Sequence, residues 1–241
     1  MPYIQEICVA GRTVEIDRHY SYHFGKHWVR EKAHTPTTAT QKKANLRKAV
    51  KDLRRILNAN FKDGEDCLLT LDFRPENRPK NSREMLNIMQ KFCRRMRSEY
   101  LEAGYPLRYV YVMEIGPRGA EHAHMVVTWN NLPIFWKCWI WGGIHVKPLD
   151  TYGQYSGVAE YFVKYSLRTE KTEGKQLGKR WYGSRNLIRP VPRKRVIHAE
   201  HWMTKIREKP GYYIDKNSVR EGVSDLTGMP FFCYTYIKLR C

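Results

Sequence analysis

Two β-rich runs, LRYVYVMEIG (107–116) and HAHMVVTW (122–129), are separated only by the turn PRGAE (117–121). A connection that short folds the second run back antiparallel on the first. Residues two apart in a strand share a face, so the pairing sorts side chains at once. His122 and His124 project together, while Ala123, Met125 and Val127 point the other way, into packing. Glu114, near the end of the first run, folds back beside the histidines, whereas alternation turns Glu121 to the opposite face.

The rest of the chain reads as strands and amphipathic helices around this hairpin. YIQEICVAGRTVEID (3–17) is a hairpin about Ala10-Gly11, and HTPTTAT (34–40) is a linker. A helix from Gln41 carries Leu46, Val50, Leu53, Leu57 and Phe61 on one stripe. CLLTLDF (67–73) is a strand, and Asn81 or Ser82 caps a helix with the stripe Met85, Met89, Phe92, Met96, Tyr100, ended by Gly104. A methionine stripe at that spacing is packing, not a cofactor site. LPIFWKCWIW (132–141) is a short buried helix, IHVKPL (144–149) a strand and GVAEYFVKYSLR (157–168) a helix. Residues 170–210 are basic and irregular, and MPFFCYTYIKL (229–239) alternates like a strand. Hairpins mixed with helices predict an α+β fold, a central antiparallel β-sheet with helices packed on it. The chain divides into an N-terminal hairpin and linker (1–40), a core (41–169), and a basic extension with a last strand (170–241), packed on the core as one domain.

Charge narrows the partners. The 43 Lys and Arg exceed the 24 Asp and Glu by 19, a balance that suits a polyanion, most commonly nucleic acid. Cations at Arg168, Lys179, Arg180, Arg185, Arg193, Lys194 and Arg195, interleaved with rings such as Trp181, Tyr182 and Trp202, suit the phosphates and unstacked bases of single-stranded DNA. No apolar run approaches the roughly 20 residues of a membrane span. The N-terminus has no basic segment followed by an apolar one, so no membrane association and a cytoplasmic location are expected. The six cysteines form no CxxC pair, which argues against a zinc ribbon or a disulfide framework. GxxxxGK[ST] is absent, so nothing points to a nucleotide-driven motor on this chain.

Two imidazoles on one sheet face can ligate one divalent metal, and the Glu114 oxygen as third ligand favours Mg2+ or Mn2+ over a metal held by soft ligands alone. Helical spacing puts Tyr161, Lys164, Tyr165 and Arg168 on one face, with Ala159, Phe162, Val163 and Ser166 on a less polar neighbouring face that can pack on the sheet. A phenolic oxygen can attack a phosphodiester that a metal polarises, and a neighbouring cation favours the phenolate. Each group alone has a plainer reading: solvated histidines, and tyrosines of an amphipathic helix. Asp72 shares a face with Thr70 and Leu68, and either touches this site or caps a strand end.

A His-x-His strand followed some 35 residues later by Tyr-x-x-Lys-Tyr in a helix resembles the HUH endonucleases, and among them the rolling-circle replication initiator (Rep) proteins of small plasmids, phages and integrated elements. CLLTLDF resembles their first motif, with Asp72 where a neutral residue is common; GAEHAHMVV resembles the metal motif and EYFVKYSLR the nucleophile motif. RVIHAEHW and GYYIDKNSV with GMPFF resemble the flanks of the bacterial replication-associated proteins. The resemblance implies an HUH-type, ferredoxin- or RRM-like palm. It implies an enzyme that nicks single-stranded origin DNA, usually extruded as a hairpin, leaving a 3′-hydroxyl for the host polymerase and a 5′-phosphotyrosine on the protein. His122 and His124 would be metal ligands with Glu114 the third, Tyr161 the first nucleophile, Lys164 its lysine, and Tyr165 the second tyrosine used by some members. Two alternatives stay open: a relaxase or single-strand transposase of the same chemistry, and a nucleic-acid-binding protein without catalysis.

Overall fold

The chain, seen as a computed structural model, is described over residues 1–22, 24–25, 37–116, 120–129, 133–149, 154–173, 179–199 and 202–239, the side chains of 165–173 excepted. Its elements in order are β1 (Tyr3–Ala10), β2 (Thr13–Tyr20), α1 (Ala39–Asn60), β3 (Cys67–Asp72), α2 (Ser82–Glu102), β4 (Tyr109–Ile115), β5 (Glu121–Val127), α3 (Ile134–Cys138), β6 (Ile144–Pro148), α4 (Ser156–Glu173), β7 (Tyr182–Gly183), β8 (Arg193–Val196), β9 (Tyr212–Val223) and β10 (Pro230–Lys238). The fold is α+β, with two antiparallel five-stranded sheets. Met1–Ala59 and Arg189–Cys241 form one compact unit, and Asn60–Ile188 form the other. Parts of the predicted linker (34–36) and of the PRGAE turn (117–119) lie outside the described residues.

The unit of residues 60–188 holds the sheet β6-β3-β5-β4-β7. One face packs on α2 and α3: Leu69, Leu71, Tyr111, Met113, Ala123, Met125 and Val127 join Met85, Met89, Phe92, Met96, Tyr100, Phe135 and Trp139 in one core. Full burial of each large apolar side chain stabilises by about 1.5–3 kcal/mol, so the inward row of each strand fixes which residues face outward. Asn81 caps α2, its side chain accepting from the Glu84 N–H at 3.0 Å. Gly104 ends the helix in the left-handed region, φ 73°. On the opposite sheet face α4 packs on β4, burying Ala159, Phe162 and Val163.

The other unit is built by both ends of the chain, in the order β8-β1-β2-β10-β9. Gly11 turns the β1–β2 hairpin with φ 58°, and a Cβ there would lie 1.9 Å from the Asn58 carbonyl oxygen of α1. Thr13, Glu15 and Asp17 of β2 meet that helix: Asn58 Nδ2 donates to Thr13 at 3.1 Å, Arg54 and Arg55 each lie 2.7 Å from Glu15, and Lys51 pairs with Asp17. Burial pushes the Asp17 carboxyl up, but His19 and Lys51 outweigh it and hold it well below the usual range. The other face carries Val14, Ile16, Phe232, Tyr234 and Tyr236, with the Arg18 guanidinium 5.9 and 5.7 Å from the Phe232 and Tyr234 rings.

β8 and β9 are strands although RKRV and YYIDKNSVREGV lack a sustained apolar alternation. β8 is held by pairing with β1, and β9 pairs with β10 around an irregularity where Ser218 Oγ accepts from the Thr235 N–H at 2.8 Å.

Gly142 lies directly against the backbone at the end of β3. A Cβ there would meet the Asp72 carbonyl oxygen at 1.9 Å, whereas one at Gly143 meets nothing within 4 Å. Gly142→Ala is therefore expected to lower unfolding free energy by about 1–3 kcal/mol, and Gly143→Ala to change it by less than about 0.5 kcal/mol, as measured by chemical denaturation. Equal effects would contradict the contact.

Candidate metal centre and its tyrosine

β5 lies between β3 and β4, and the two registers assemble the site. Glu114 stands opposite His122 and Val112 opposite His124 on one side; Asp72 stands opposite His122 and Thr70 opposite His124 on the other. Directly opposed residues share a sheet face, so Glu114, His122, His124, Thr70 and Asp72 all project away from the α2 core. His122 Nε2 lies 3.0 Å and His124 Nε2 3.4 Å from the same Glu114 oxygen, Oε2. One donor atom from each of the three residues lies within 4.8 Å of the others.

This set can hold one metal ion. Two donors bound at about 2.1 Å on neighbouring positions of one ion stand about 3 Å apart, close to the 3.0 and 3.4 Å between the Glu114 oxygen and the two histidine nitrogens. The outer nitrogens are already engaged: His122 Nδ1 faces the Ala120 carbonyl at 3.2 Å and His124 Nδ1 faces Thr70 Oγ1 at 3.2 Å. Such partners fix ring orientation and leave Nε2 for a ligand. Gly116 leaves room for the His122 ring, since a Cβ there would sit 3.1 Å from its Cε1. Glu114 is 1% exposed, and a carboxylate so buried needs compensating charge.

Tyr161 completes the arrangement. Its hydroxyl lies 3.2 Å from His124 Nε2, and the two rings meet edge-on at 5.0 Å. α4 brings it there by burying Phe162 and Val163 and leaving Tyr161 at 36% exposure. Lys164 is exposed one turn on; the side chains of Tyr165, Ser166 and Arg168 lie outside the described residues. Sequence reasoning missed Thr70 as the partner of His124, although its place on the Asp72 face was legible. Asp72 is not one of the three clustered donors; it pairs with His145 of β6 at 3.3 Å.

The predicted DNA-binding residues fall into two groups. In the 60–188 unit Lys179 and Arg185 are exposed, and Arg180 and Trp181 are half-buried. In the other unit Arg193 and Arg195 are exposed on β8, while Lys194 Nζ lies 2.7 Å from Glu6. Two interleaved rings pack on other rings of the protein: Tyr182 stacks 5.1 Å from Tyr111, and Trp202 lies tilted 4.8 Å from Tyr3. Among the described residues no helix is long and apolar enough to cross a membrane.

Protonation and metal binding compete at Glu114 and His122. The Glu114 hydrogen bond raises the His122 pKa against the opposing effect of burial. Burial pushes the Glu114 carboxyl up, but its bonds to His122 and His124 bring it below its ordinary value. The depressed Glu114 contributes stability above about pH 4.3, lost as pH falls through its folded value; the raised His122 contributes fully below about pH 6.5, lost as pH rises through its folded value. The metal-free pair is thus most stabilising between those limits, and an ion, which needs the imidazoles neutral, binds better above them. Calorimetric Mn2+ affinity is expected to rise from about pH 6 to about pH 8 with proton release, and to fall at least about 10-fold in Glu114→Gln. An affinity indifferent to both changes would contradict the site.

Neither a curated protein nor a solved structure matches the chain. Residues 66–170, which carry Glu114, His122, His124 and Tyr161, match the model of the family described as replication-associated protein ORF2/G2P.

Proposed function

We propose that this protein nicks and rejoins single-stranded DNA through a 5′-phosphotyrosine intermediate, and so initiates rolling-circle replication of a plasmid, phage or integrated element. The observation that carries the reading is the Tyr161 hydroxyl 3.2 Å from His124 Nε2, at the edge of the three-donor cluster. The family match over residues 66–170 supports a role in replication.

Glu114, His122 and His124 would hold Mg2+ or Mn2+, a mixed oxygen and nitrogen set suited to either ion. When bound, the ion supplies Lewis acidity at a non-bridging phosphoryl oxygen. Tyr161 Oη attacks the phosphorus; the new O–P bond forms as the P–O3′ bond breaks, the phenol gives up its proton and the departing 3′-oxygen gains one. Lys164, exposed on the same helix, favours the phenolate and meets the phosphate. One phosphodiester replaces another, so the step reverses without a nucleotide cofactor, and a 3′-hydroxyl attacking the tyrosyl phosphodiester rejoins the strand. Tyr165 is the second nucleophile in this reading. Arg168, Lys179, Arg180, Trp181, Arg185, Arg193, Lys194 and Arg195 would hold the strand, with hairpin origin DNA as substrate and a host helicase and polymerase as partners.

The test is direct. Single-stranded oligonucleotides tiling the sequence beside the gene are incubated with the protein and Mn2+, then resolved on a denaturing gel. A covalent adduct is expected with one of them, reduced at least about 10³-fold in Tyr161→Phe and retained in Tyr165→Phe. No adduct with any oligonucleotide would leave a binding protein without this chemistry; loss in Tyr165→Phe alone would reverse the order of the tyrosines.

A further inference from the structure

The face that carries the three donors continues past them. Asp72 is in register with His122, and His145 with Thr70, so both project from the donor face. His145 Nε2 lies 3.3 Å from Asp72 Oδ2. α4 packs on β4 to one side; on the other, the His145 side chain is 79% exposed and that of Asp72 44%. Lys147, opposite Leu68, projects the same way and is exposed. An ion pair so open to water adds little to stability, and neither partner belongs to the three-donor cluster. A carboxylate on one imidazole nitrogen orients the ring and leaves the other nitrogen to meet a substrate. That is the arrangement in which histidine serves as acid or base.

The position matters as much as the chemistry. Tyr161 reaches His124 from the α4 side, and across the strands from it the row runs His124, Thr70, His145. Neighbouring strands are about 4.8 Å apart, so His145 stands about two strand spacings beyond His124. In an in-line displacement the attacking and departing oxygens lie on opposite sides of the phosphorus. With Tyr161 attacking from the α4 side, the departing oxygen leaves toward β3 and β6.

We propose that His145, oriented by Asp72, protonates the departing 3′-oxygen during nicking and takes that proton back from the 3′-hydroxyl during joining. The inference rests on the nicking reading above. The imidazolium N–H bond breaks as the O3′–H bond forms, the electron pair of the broken P–O3′ bond becomes that bond, and neutral imidazole remains. Asp72 acts through His145 and is a positioning residue, while Lys147 offers a cation to an adjoining phosphate.

The experiment compares two oligonucleotides of the nicked sequence, one natural and one with sulfur replacing the bridging 3′-oxygen at the cleaved bond. A thiolate departs without a proton, so a group that only protonates the leaving atom becomes dispensable. His145→Ala is expected to slow adduct formation on the oxygen substrate by about 10²- to 10⁴-fold and to leave the sulfur substrate at the wild-type rate. Asp72→Asn is expected to show a smaller loss confined to the oxygen substrate. His145→Ala slowing both substrates equally, or neither, overturns the proposal. An unchanged thermal midpoint is expected for this exposed position and separates these results from misfolding. Wild-type protein giving no adduct overturns the nicking reading and this one together; an adduct whose rate ignores His145 overturns this one alone.

Discussion

The candidate site depends on the registers that hold β5 between β3 and β4. Glu114, His122 and Asp72 form one cross-strand row, and Val112, His124, Thr70 and His145 the next. A slip of one residue in a strand turns every side chain to the other face. Here it would drive His122 and His124 into the α2 core and expose Ala123, Met125 and Val127, all fully buried. The hydrophobic effect on one face therefore sets the chemistry on the other. Glu114, nearly inaccessible to water, can stay charged there because the two imidazoles face it.

Much of this was legible in the sequence because it follows from alternation and a short turn. The shared face of His122 and His124, the return of Glu114 beside them, the opposite orientation of Glu121 and the burial of the Met85–Tyr100 stripe need only strand and helix periods. What the sequence withheld are pairings between distant segments. IHVKPL reads as a strand, but nothing local says that it lies against β3 and so brings His145 to Asp72. Nor does local pattern show that β10 joins β2, more than 200 residues earlier, to make a second sheet. β8 and β9 escaped notice because their polar sequences depend on partners for strand form.

Charge is distributed in a way that the total of +19 conceals. Met1–Ala59 with Arg189–Cys241 contains 23 Lys and Arg against 10 Asp and Glu, net +13; Asn60–Ile188 contains 20 against 14, net +6. Some of the first unit's cations are structural: Lys51, Arg54 and Arg55 dock α1 on the acidic row of β2, and Lys194 meets Glu6. Arg193 and Arg195 are exposed on β8 and suit a polyanion. In the proposed function the less basic unit would carry the chemistry, and the more basic one would add sequence-independent grip.

In the proposed function Glu114, His122 and His124 would hold a divalent ion beside Tyr161. Crystals grown with Mn2+ and measured for anomalous scattering would locate that ion. One strong peak is expected within bonding distance of His122 Nε2, His124 Nε2 and a Glu114 oxygen, next to the Tyr161 hydroxyl. A peak elsewhere, or none at a saturating Mn2+ concentration, would contradict that reading.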